Sequence, residues 1–242
     1  MESRHKPYGP YERFFKRPLD ILCALAAIIV FWWLYAIVAV LVRVKLGSPV
    51  LFTQERPGRI DPKTGREKIF KLYKFRTMTE GRDANGELLP DDERLTKFGR
   101  LLRATSLDEL PEAFNILKGD MSVIGPRPQL VRDMVFMTER QRMRHTVKPG
   151  LSGLAQVNGR NAITWEEKLD WDLQYIERIS FCGDLKLVLR TIGKVFITRE
   201  GITDGETATA MDYGDWLFSI GKVTREQYND KQAEAKELLA IQ

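Results

Sequence analysis

The feature that most constrains this chain is an apolar segment close to its N-terminus. Residues 21–42 read ILCALAAIIVFWWLYAIVAVLV and contain no charged side chain. About twenty apolar residues suffice for a helix to cross a bilayer. A buried helix of a soluble protein normally keeps a polar face over such a length, and the small-residue cleavage site of a signal peptide does not follow the run. The segment therefore predicts a membrane helix.

Basic residues stand on both sides of this segment and bear on its topology. They are Arg4, Lys6, Arg13, Lys16 and Arg17 before it and Arg43, Lys45, Arg56 and Arg59 after it. Because basic residues mark the cytoplasmic side of a membrane, both ends are predicted to lie on that side, as in a re-entrant helix. The segment lacks the Pro or Gly that would break such a helix, so a single spanning helix stays open as the alternative.

The charge balance and the scarcity of certain residue types narrow the class of protein. The chain has 38 Lys and Arg against 33 Asp and Glu, a net charge of +5, which indicates a polyanionic partner. With a membrane segment present, phospholipid and phosphorylated substrates fit better than nucleic acid. Two histidines and two distant cysteines, Cys23 and Cys182, argue against a zinc site, a histidine-centred triad and a disulfide.

The pattern after residue 48 predicts an α+β fold, mostly helical with a few short strands. Strands are expected at 50–54 and 68–78 around a turn-rich loop, and helices at 95–106, 111–119, 129–145 and 165–199. A glycine-rich loop is expected at 148–161, and a capping box of Thr224 and Gln227 predicts a charged C-terminal helix over about 223–241. The expected organisation is a membrane segment (1–48), a cytosolic catalytic domain (49–205) and a tail (206–242).

An adjacent acidic pair, Asp108 and Glu109, lies in the stretch SLDELP. Ser106 and Glu109 have the spacing of a capping box, so helix capping is one reading. A helix that began at residue 107 would, however, place Pro111 in its second turn, where proline removes a hydrogen bond. With Pro111 at the first helical position, both carboxylates lie at the helix N-terminus, which favours their ionised form. Such a carboxylate is suited to act as a nucleophile or a metal ligand.

Arg127 stands between two prolines in the stretch GPRP. The prolines restrict the backbone, so the guanidinium is presented at low entropic cost, and its planar fork suits phosphate oxygens. A solvated arginine in a polyproline-like loop is the alternative. Together with the acidic pair, Arg127 predicts phosphoryl transfer, in which a carboxylate attacks or binds Mg²⁺ and the arginine stabilises charge on the phosphate.

These motifs closely resemble those of the bacterial sugar transferase family, the monotopic phosphoglycosyl transferases. The resemblance covers roughly residues 14–209. It is carried by FTQERPG (52–58), YKFRTM (73–78), LRATSLDELPEAFNILKGDMSVIGPRP (102–128) and KPGLSGLAQVNGRN (148–161), in the family's order.

The resemblance implies an enzyme of the bacterial inner membrane that transfers a phospho-sugar from a UDP-sugar to undecaprenyl phosphate and releases UMP, as the first membrane step of glycan biosynthesis. Asp108 corresponds to the family's nucleophile, which forms a covalent phospho-sugar intermediate, and it is also the expected ligand of Mg²⁺. Glu109 corresponds to its partner in the acidic dyad and Arg127 to a phosphate-binding arginine. The family's re-entrant helix corresponds to residues 19–42, although Trp32-Trp33 stands where small relatives have Ser-Pro.

Further substrate-binding candidates come from the other matching blocks. They are Lys74, Arg76, Arg103, Asn158, Arg160, Asp172 and Tyr175. Lys74 and Arg76 alternate along a predicted strand and so share a face; a solvated strand face is the alternative. The glycine-rich loop with Asn158 and Arg160 is expected to wrap a nucleotide. Asp172 and Tyr175 match a family D-x-x-Y pattern, with a surface helix pair as the alternative.

Two other functions remain open at this stage. The same substrates could react by direct attack of the lipid phosphate, with the acidic pair as base or metal ligand. The chain could also be a non-catalytic membrane adaptor for glycan enzymes, a role that the charged C-terminal helix suits. The expected partners are UDP-sugar, undecaprenyl phosphate, membrane phospholipid and either a second copy or downstream glycosyltransferases.

Overall fold

The computed structural model describes residues 5–159, 163–194 and 211–240, which form an α+β fold as the sequence predicts. The helices are α1 (Lys16–Leu46), α2 (Asp91–Arg94), α3 (Lys97–Ala104), α4 (Glu112–Lys118), α5 (Val131–Met134), α6 (Glu139–Arg142), α7 (Leu154–Asn158), α8 (Trp165–Glu177), α9 (Phe181–Gly193), α10 (Tyr213–Ser219) and α11 (Arg225–Ala240). The strands are β1 (Leu51–Ile60), β2 (Glu67–Phe75), β3 (Ser122–Ile124) and β4 (Gly150–Ser152). One π-helical turn covers Tyr11–Phe15, and 3₁₀ turns cover Leu107–Glu109 and Met143–Thr146.

Strands β1 and β2 form an antiparallel hairpin in which Leu51 faces Phe75 and Gln54 faces Leu72. The loop predicted between residues 54 and 68 begins later than expected. Strand β1 continues through Pro57 to Ile60, with a register shift after Pro57. Both strands of a two-stranded sheet are edge strands, where proline is tolerated. This hairpin carries Lys74 towards the acidic pair.

Strands β3 and β4 pair in parallel and meet at unusually close backbone contacts between glycines. A Cβ on Gly150 would lie 2.0 Å from the backbone nitrogen of Gly125, and one on Gly153 would lie 2.1 Å from the Gly125 carbonyl oxygen. Gly150 and Gly153 therefore allow close contact between the glycine-rich loop and the backbone of Gly125. This packing role differs from the nucleotide binding expected for that loop. The contact holds the GPRP segment where β3 ends.

The segment 129–145 departs from its prediction as one helix. Thr138 begins a new helix there, since its hydroxyl accepts the backbone N–H of Gln141 and separates α5 from α6. Helix α10 is an element that the sequence reading missed. Helix α11 confirms the predicted capping box: the Thr224 N–H donates to Gln227 Oε1 at 2.9 Å, and the Gln227 N–H donates to Thr224 Oγ1 at 3.2 Å.

The C-terminal helices α10 and α11 pack on the body of the domain. Ala235 of α11 lies in one cluster with Val131 and Met134 of α5. Tyr213 and Leu217 of α10 lie in another cluster, with Trp165 and Met137 among its buried members. These clusters place α10 and α11 directly behind the segment that follows Arg127.

Helix α1 is continuous and is held to the same body at both ends. Near its N-terminus, Asp20 Oδ1 accepts from Ser122 Oγ and from the Val123 N–H, both at 2.9 Å. At its C-terminus, Arg76 donates to the carbonyls of Leu46 and Ser48. Between these points Ala24, Val38 and Val42 are buried against the domain. One face of α1 therefore packs on the domain along its length.

The opposite face of α1 exposes a large apolar surface. Its exposed side chains include Leu22, Ile29, Val30, Phe31, Trp32, Trp33, Ile37, Val40 and Val44. The mean hydropathy of its most apolar 18-residue window is 2.7, which suffices for a membrane helix by length and composition. An exposed apolar surface of this extent marks a contact with lipid or protein. Because α1 has no break, a re-entrant course in a bilayer stays a prediction.

The buried acid Glu67 of β2 contacts two basic side chains, Arg142 and His145, and so connects β2 to the 3₁₀ turn at Met143–Thr146. Glu67 accepts from Arg142 Nε at 2.8 Å and contacts His145 Nδ1 at 3.1 Å. Although burial opposes its ionisation, His145 and Arg142 lower the pKa of Glu67 to about 2. Burial lowers the pKa of His145 to about 4.

We expect this cluster to make the fold sensitive to acid. Both groups have lower pKa values in the folded protein, so the unfolded chain binds more protons as the pH falls, first on His145 below about 6.5 and then on Glu67 below about 4.3. Each pKa unit of difference corresponds to about 1.4 kcal/mol. Urea denaturation in detergent should show a free energy of unfolding that falls from pH 7 to pH 3, with a smaller slope between about pH 6.5 and pH 4.5 in His145→Gln, which lacks the group that titrates there first. An identical slope in that variant would contradict this assignment.

Candidate active site

The acidic pair lies in the 3₁₀ turn between α3 and α4. Ser106 enters this turn with φ 56°, in the left-handed region, and its side chain makes no capping hydrogen bond. The capping reading of Ser106 is therefore wrong. Pro111 immediately precedes α4, and Gly119, with φ 93°, follows it, so the bounds predicted for this helix are confirmed.

Two cations from distant parts of the chain meet at Glu109. Lys74 Nζ of β2 lies 2.7 Å from Glu109 Oε1, and Arg127 Nη2 lies 2.8 Å from the same oxygen. The structure thus brings together four residues that the sequence singled out: Lys74, Asp108, Glu109 and Arg127. The Arg127 side chain remains 42% exposed, so it is accessible to a ligand.

The two carboxylates occupy different electrostatic environments. Although burial opposes ionisation of Glu109, Lys74 and Arg127 hold its pKa well below the ordinary range. Burial raises the pKa of Asp108, and the adjacent charge of Glu109 raises it further. The expectation that a helix N-terminus would favour ionisation of both groups is therefore wrong for Asp108. Glu109 serves as the anchor of the two cations, and the Asp108 carboxylate is left for a ligand.

A third acid, Glu112, belongs to the site and was missed by sequence reasoning. Its side chain is buried, and its Oε1 lies 3.2 Å from Lys74 Nζ. Burial raises its pKa while Lys74 opposes that rise. The spacing of Glu109 and Glu112, three positions apart, is the signal that could have found it, since such residues share a helix face.

Asn115 and Arg103 support the site from its two sides. Asn115 Nδ2 donates to the Lys71 carbonyl at 2.7 Å, and its Oδ1 accepts the Tyr73 N–H at 3.0 Å. It thereby fixes α4 against β2 next to Lys74. Arg103 Nε donates to Thr77 Oγ1 at 3.1 Å; burial lowers the pKa of Arg103 while the charge of Asp108 opposes that change.

Arg76 and Asn158 have contacts away from the acidic pair. Arg76 holds the C-terminal end of α1. Strand β2 ends at Phe75, so the alternation that would place Arg76 beside Lys74 stops one residue too early. Asn158 Oδ1 accepts from Arg190 Nη2 at 3.0 Å. The predicted partner of Asn158, Arg160, lies outside the described residues.

Asp172 and Tyr175 are buried in the protein, which contradicts the surface alternative; their predicted contact with substrate stays a prediction. Asp172 Oδ2 pairs with Arg144 Nη2 at 2.6 Å, with both side chains 1% exposed. Tyr175 Oη donates to the Ile124 carbonyl at 3.1 Å and to Asp184 Oδ1 at 3.0 Å. Residues three apart on α8 share one face, and that face packs on the core.

The donor set around Asp108 determines what kind of metal site is feasible. No cluster of three or more His, Cys, Asp or Glu suited to a metal occurs within 5–159, 163–194 and 211–240. Glu109 and Glu112 are engaged by Lys74, which leaves Asp108 as the available carboxylate. Mg²⁺ is commonly bound by one or two carboxylates together with substrate phosphates. The site therefore fits Mg²⁺ shared with a phosphorylated substrate.

A family model described as bacterial sugar transferase matches residues 11–198. The uncharacterized sugar transferase EpsL of Bacillus subtilis (strain 168) is 50% identical over 190 residues, which are 78% of this chain and 88% of that protein.

Two further relatives carry names that state a reaction. The UDP-N-acetylgalactosamine-undecaprenyl-phosphate N-acetylgalactosaminephosphotransferase of Aeromonas hydrophila is 39% identical over 76% of this chain. The UDP-glucose:undecaprenyl-phosphate glucose-1-phosphate transferase of Klebsiella pneumoniae is 38% identical over 80% of this chain. The match spans only 44% and 42% of these two longer proteins.

Proposed function

This chain belongs to the bacterial sugar transferase family, and on that basis we propose that it transfers a phospho-sugar from a UDP-sugar to undecaprenyl phosphate and releases UMP. The names of two relatives state UDP-sugars and undecaprenyl phosphate as reactants. The observation that carries the proposal to this chain is the ion-paired cluster of Lys74, Glu109 and Arg127 beside the buried Asp108. An adaptor has no use for such a cluster, because buried charges cost stability.

In the proposed first step, a carboxylate oxygen of Asp108 attacks the β-phosphorus of the UDP-sugar. The bond from this phosphorus to the oxygen that bridges the two phosphates breaks, and UMP leaves with that oxygen. Arg127 binds oxygens of the phosphoryl group under attack, and Glu109 fixes the direction of its guanidinium through the 2.8 Å contact. Charge that develops on the phosphoryl group then meets a preorganised donor.

In the proposed second step, an oxygen of undecaprenyl phosphate attacks the phosphorus of the phospho-sugar on Asp108. The bond to Asp108 breaks, which restores the carboxylate and forms undecaprenyl diphospho-sugar. The covalent step separates two anions, the pyrophosphate and the lipid phosphate, that direct attack would bring together. Asp108 would hold Mg²⁺ when the ion is bound, and the ion would supply positive charge that offsets the repulsion between the carboxylate and the phosphoryl group.

The proposed location is the cytoplasmic side of the bacterial inner membrane, with the exposed face of α1 in lipid. Hydrogen bonds to Asp20 near one end and from Arg76 at the other tie both ends to the catalytic domain. A helix held in this way has both flanks on one side of the membrane. This geometry supports one-sided insertion over a spanning helix, in agreement with the basic flanks.

We expect cysteine labelling to report both ends of α1 on the same side. Ser3→Cys and Ser48→Cys would be made singly in a chain whose native Cys23 and Cys182 are replaced, with Glu226→Cys on exposed α11 as the reference for the domain side. A membrane-impermeant reagent should label all three from the cytoplasmic face. Opposite accessibility of positions 3 and 48 would establish a spanning helix.

Replacing Trp32 and Trp33 by Leu should favour a spanning helix, because tryptophan rings hold a helix at the membrane interface.

A UMP-release assay tests the proposed reaction. Purified protein would be mixed with undecaprenyl phosphate, Mg²⁺ and a panel of UDP-sugars, and UMP and the lipid product would be measured together. We expect release of UMP that depends on the lipid acceptor and on one or a few of the sugars. Absence of both products across the panel, from folded protein in a bilayer, would count against the proposal.

A further inference from the structure

The segment Gly125–Pro128, termed here the arginine loop, has an unusual hydrogen-bond pattern. Its two prolines have no backbone N–H to donate, yet three consecutive carbonyls each accept a hydrogen bond. The Pro126 carbonyl accepts the Gly150 N–H at 2.9 Å. The Arg127 carbonyl accepts from Arg144 Nη2 at 2.5 Å, and the Pro128 carbonyl accepts from Arg56 Nη1 at 3.1 Å.

Arg144 is itself fixed from behind. Its side chain is 1% exposed, and Asp172 Oδ2 accepts from its Nε at 2.9 Å and from its Nη2 at 2.6 Å. The same Nη2 reaches the Arg127 carbonyl. Asp172 on α8 is thus connected to the backbone of Arg127 through one rigid guanidinium.

Arg56 approaches the arginine loop from the opposite element, strand β1. Its Nη2 donates to Gln54 Oε1 at 2.5 Å, which orients the Nη1 group towards the Pro128 carbonyl. Burial lowers the pKa of Arg56 to about 10, and the positive charge of Arg127 contributes to that change. Arg56 therefore stays charged at neutral pH, and it is held on the loop despite its repulsion from Arg127.

We infer that Arg56 and Arg144, the latter oriented by Asp172, are positioning residues that hold the backbone of Arg127 so that its guanidinium faces Glu109 and the transferred phosphoryl group. The inference rests on the proposed function of Arg127. Neither positioning residue needs to contact substrate. Because a displacement of about 1 Å of a catalytic group can cost about 10²-fold in rate, loss of either carbonyl contact is expected to lower kcat more than it raises KM.

The test is a double-mutant cycle between the positioning residues and Arg127. Arg144→Met would be combined with Asp172→Leu, so that no single buried charge is left. We expect this pair to lower kcat about 10- to 100-fold in the wild-type background, as a displaced catalytic group does. In an Arg127→Lys background, the same pair should add less than about threefold, because interacting sites are not additive.

A matched control is available two residues before Arg144. Arg142 also pairs with a buried acid, Glu67, and makes its hydrogen bonds there, away from the arginine loop. Arg142→Met combined with Glu67→Gln, with folding verified by thermal denaturation, should change kcat by the same factor in the wild-type and Arg127→Lys backgrounds, as distant sites do. Arg56→Met removes the contact of β1 with the Pro128 carbonyl and leaves the Arg144–Asp172 pair unchanged.

The outcomes separate this inference from the proposed function. Equal losses from the Arg144 pair in both backgrounds, or near-wild-type kcat in both the Arg144 pair and Arg56→Met, would overturn positioning. If the Arg144 pair fails to fold, the Arg56→Met cycle alone decides, by the same criterion. If Arg127→Lys retains full turnover, Arg127 does not bind the phosphoryl group, whatever the result for Arg56 and Arg144. If wild-type protein releases no UMP, the proposed reaction itself fails.

Discussion

Asp108→Asn is expected to abolish both turnover and the covalent intermediate. The amide keeps the shape of the side chain but lacks the anionic oxygen that would attack phosphorus. Intact-protein mass, measured after mixing with UDP-sugar and Mg²⁺ but without lipid, should increase by one phospho-sugar in the wild type, with release of UMP, and should stay unchanged in the variant. Asp120→Asn is the matched control, because Asp120 pairs at 3.6 Å with Lys68, and that variant should still acquire the adduct.

Other results of the same measurement would have distinct meanings. An Asp108→Asn protein that still turns over or gains the adduct would rule out Asp108 as nucleophile. Wild-type turnover with lipid and no adduct at any time would favour direct attack by the lipid phosphate. Glu109→Gln should lose most turnover, since Lys74 and Arg127 lose their common anion, while some adduct still forms.

Arg127→Lys is expected to lower turnover by about 10²–10³, the cost of losing one preorganised donor to a developing charge. Lysine keeps the positive charge but cannot contact Glu109 and a phosphoryl oxygen with one planar fork. The measurement is kcat at saturating UDP-sugar and lipid. Near-native turnover would show that the arginine does not bind the phosphoryl group in the transition state.

A nearby arginine provides the control for this substitution. Arg132 lies on α5, is about half exposed and pairs with Asp212 of the C-terminal region. Arg132→Lys keeps that surface ion pair, which contributes little to stability, so kcat should remain near the wild-type value. A comparable loss in Arg132→Lys would indicate that the two variants disturb the fold in common.

Several features of the site could be predicted from short stretches of sequence. The length of the apolar run indicated a membrane helix, and Pro111 and Gly119 indicated the bounds of α4. Prolines on both sides of Arg127 indicated a rigid segment. Each of these conclusions depends on neighbouring residues only, which is why it did not require the tertiary structure.

Other features depend on contacts between distant segments, which short stretches of sequence do not report. Arg76 has the residue type of a phosphate ligand, but the free carbonyls at the end of α1 occupy its donors. Asp172 and Tyr175 match a family pattern, but in this structure their polar groups contact buried groups of the protein. The sequence predicts a charged helix in the C-terminal tail but not its packing, and the apolar side chains of α10 and α11 fill clusters behind α5. Burial decides each case, and the sequence pattern does not report it.

By itself, then, the sequence determined the membrane-capable helix, the family, and the candidate roles of Asp108, Glu109 and Arg127. Tertiary structure alone decided which cation meets which acid. Lys74 reaches Glu109 across 35 positions and Arg144 reaches Asp172 across 28. Such pairs form because folding brings distant charges together out of water, where each needs a partner. The raised pKa of Asp108, the lowered pKa of Glu109 and the hydrogen-bonded arginine loop all follow from that packing.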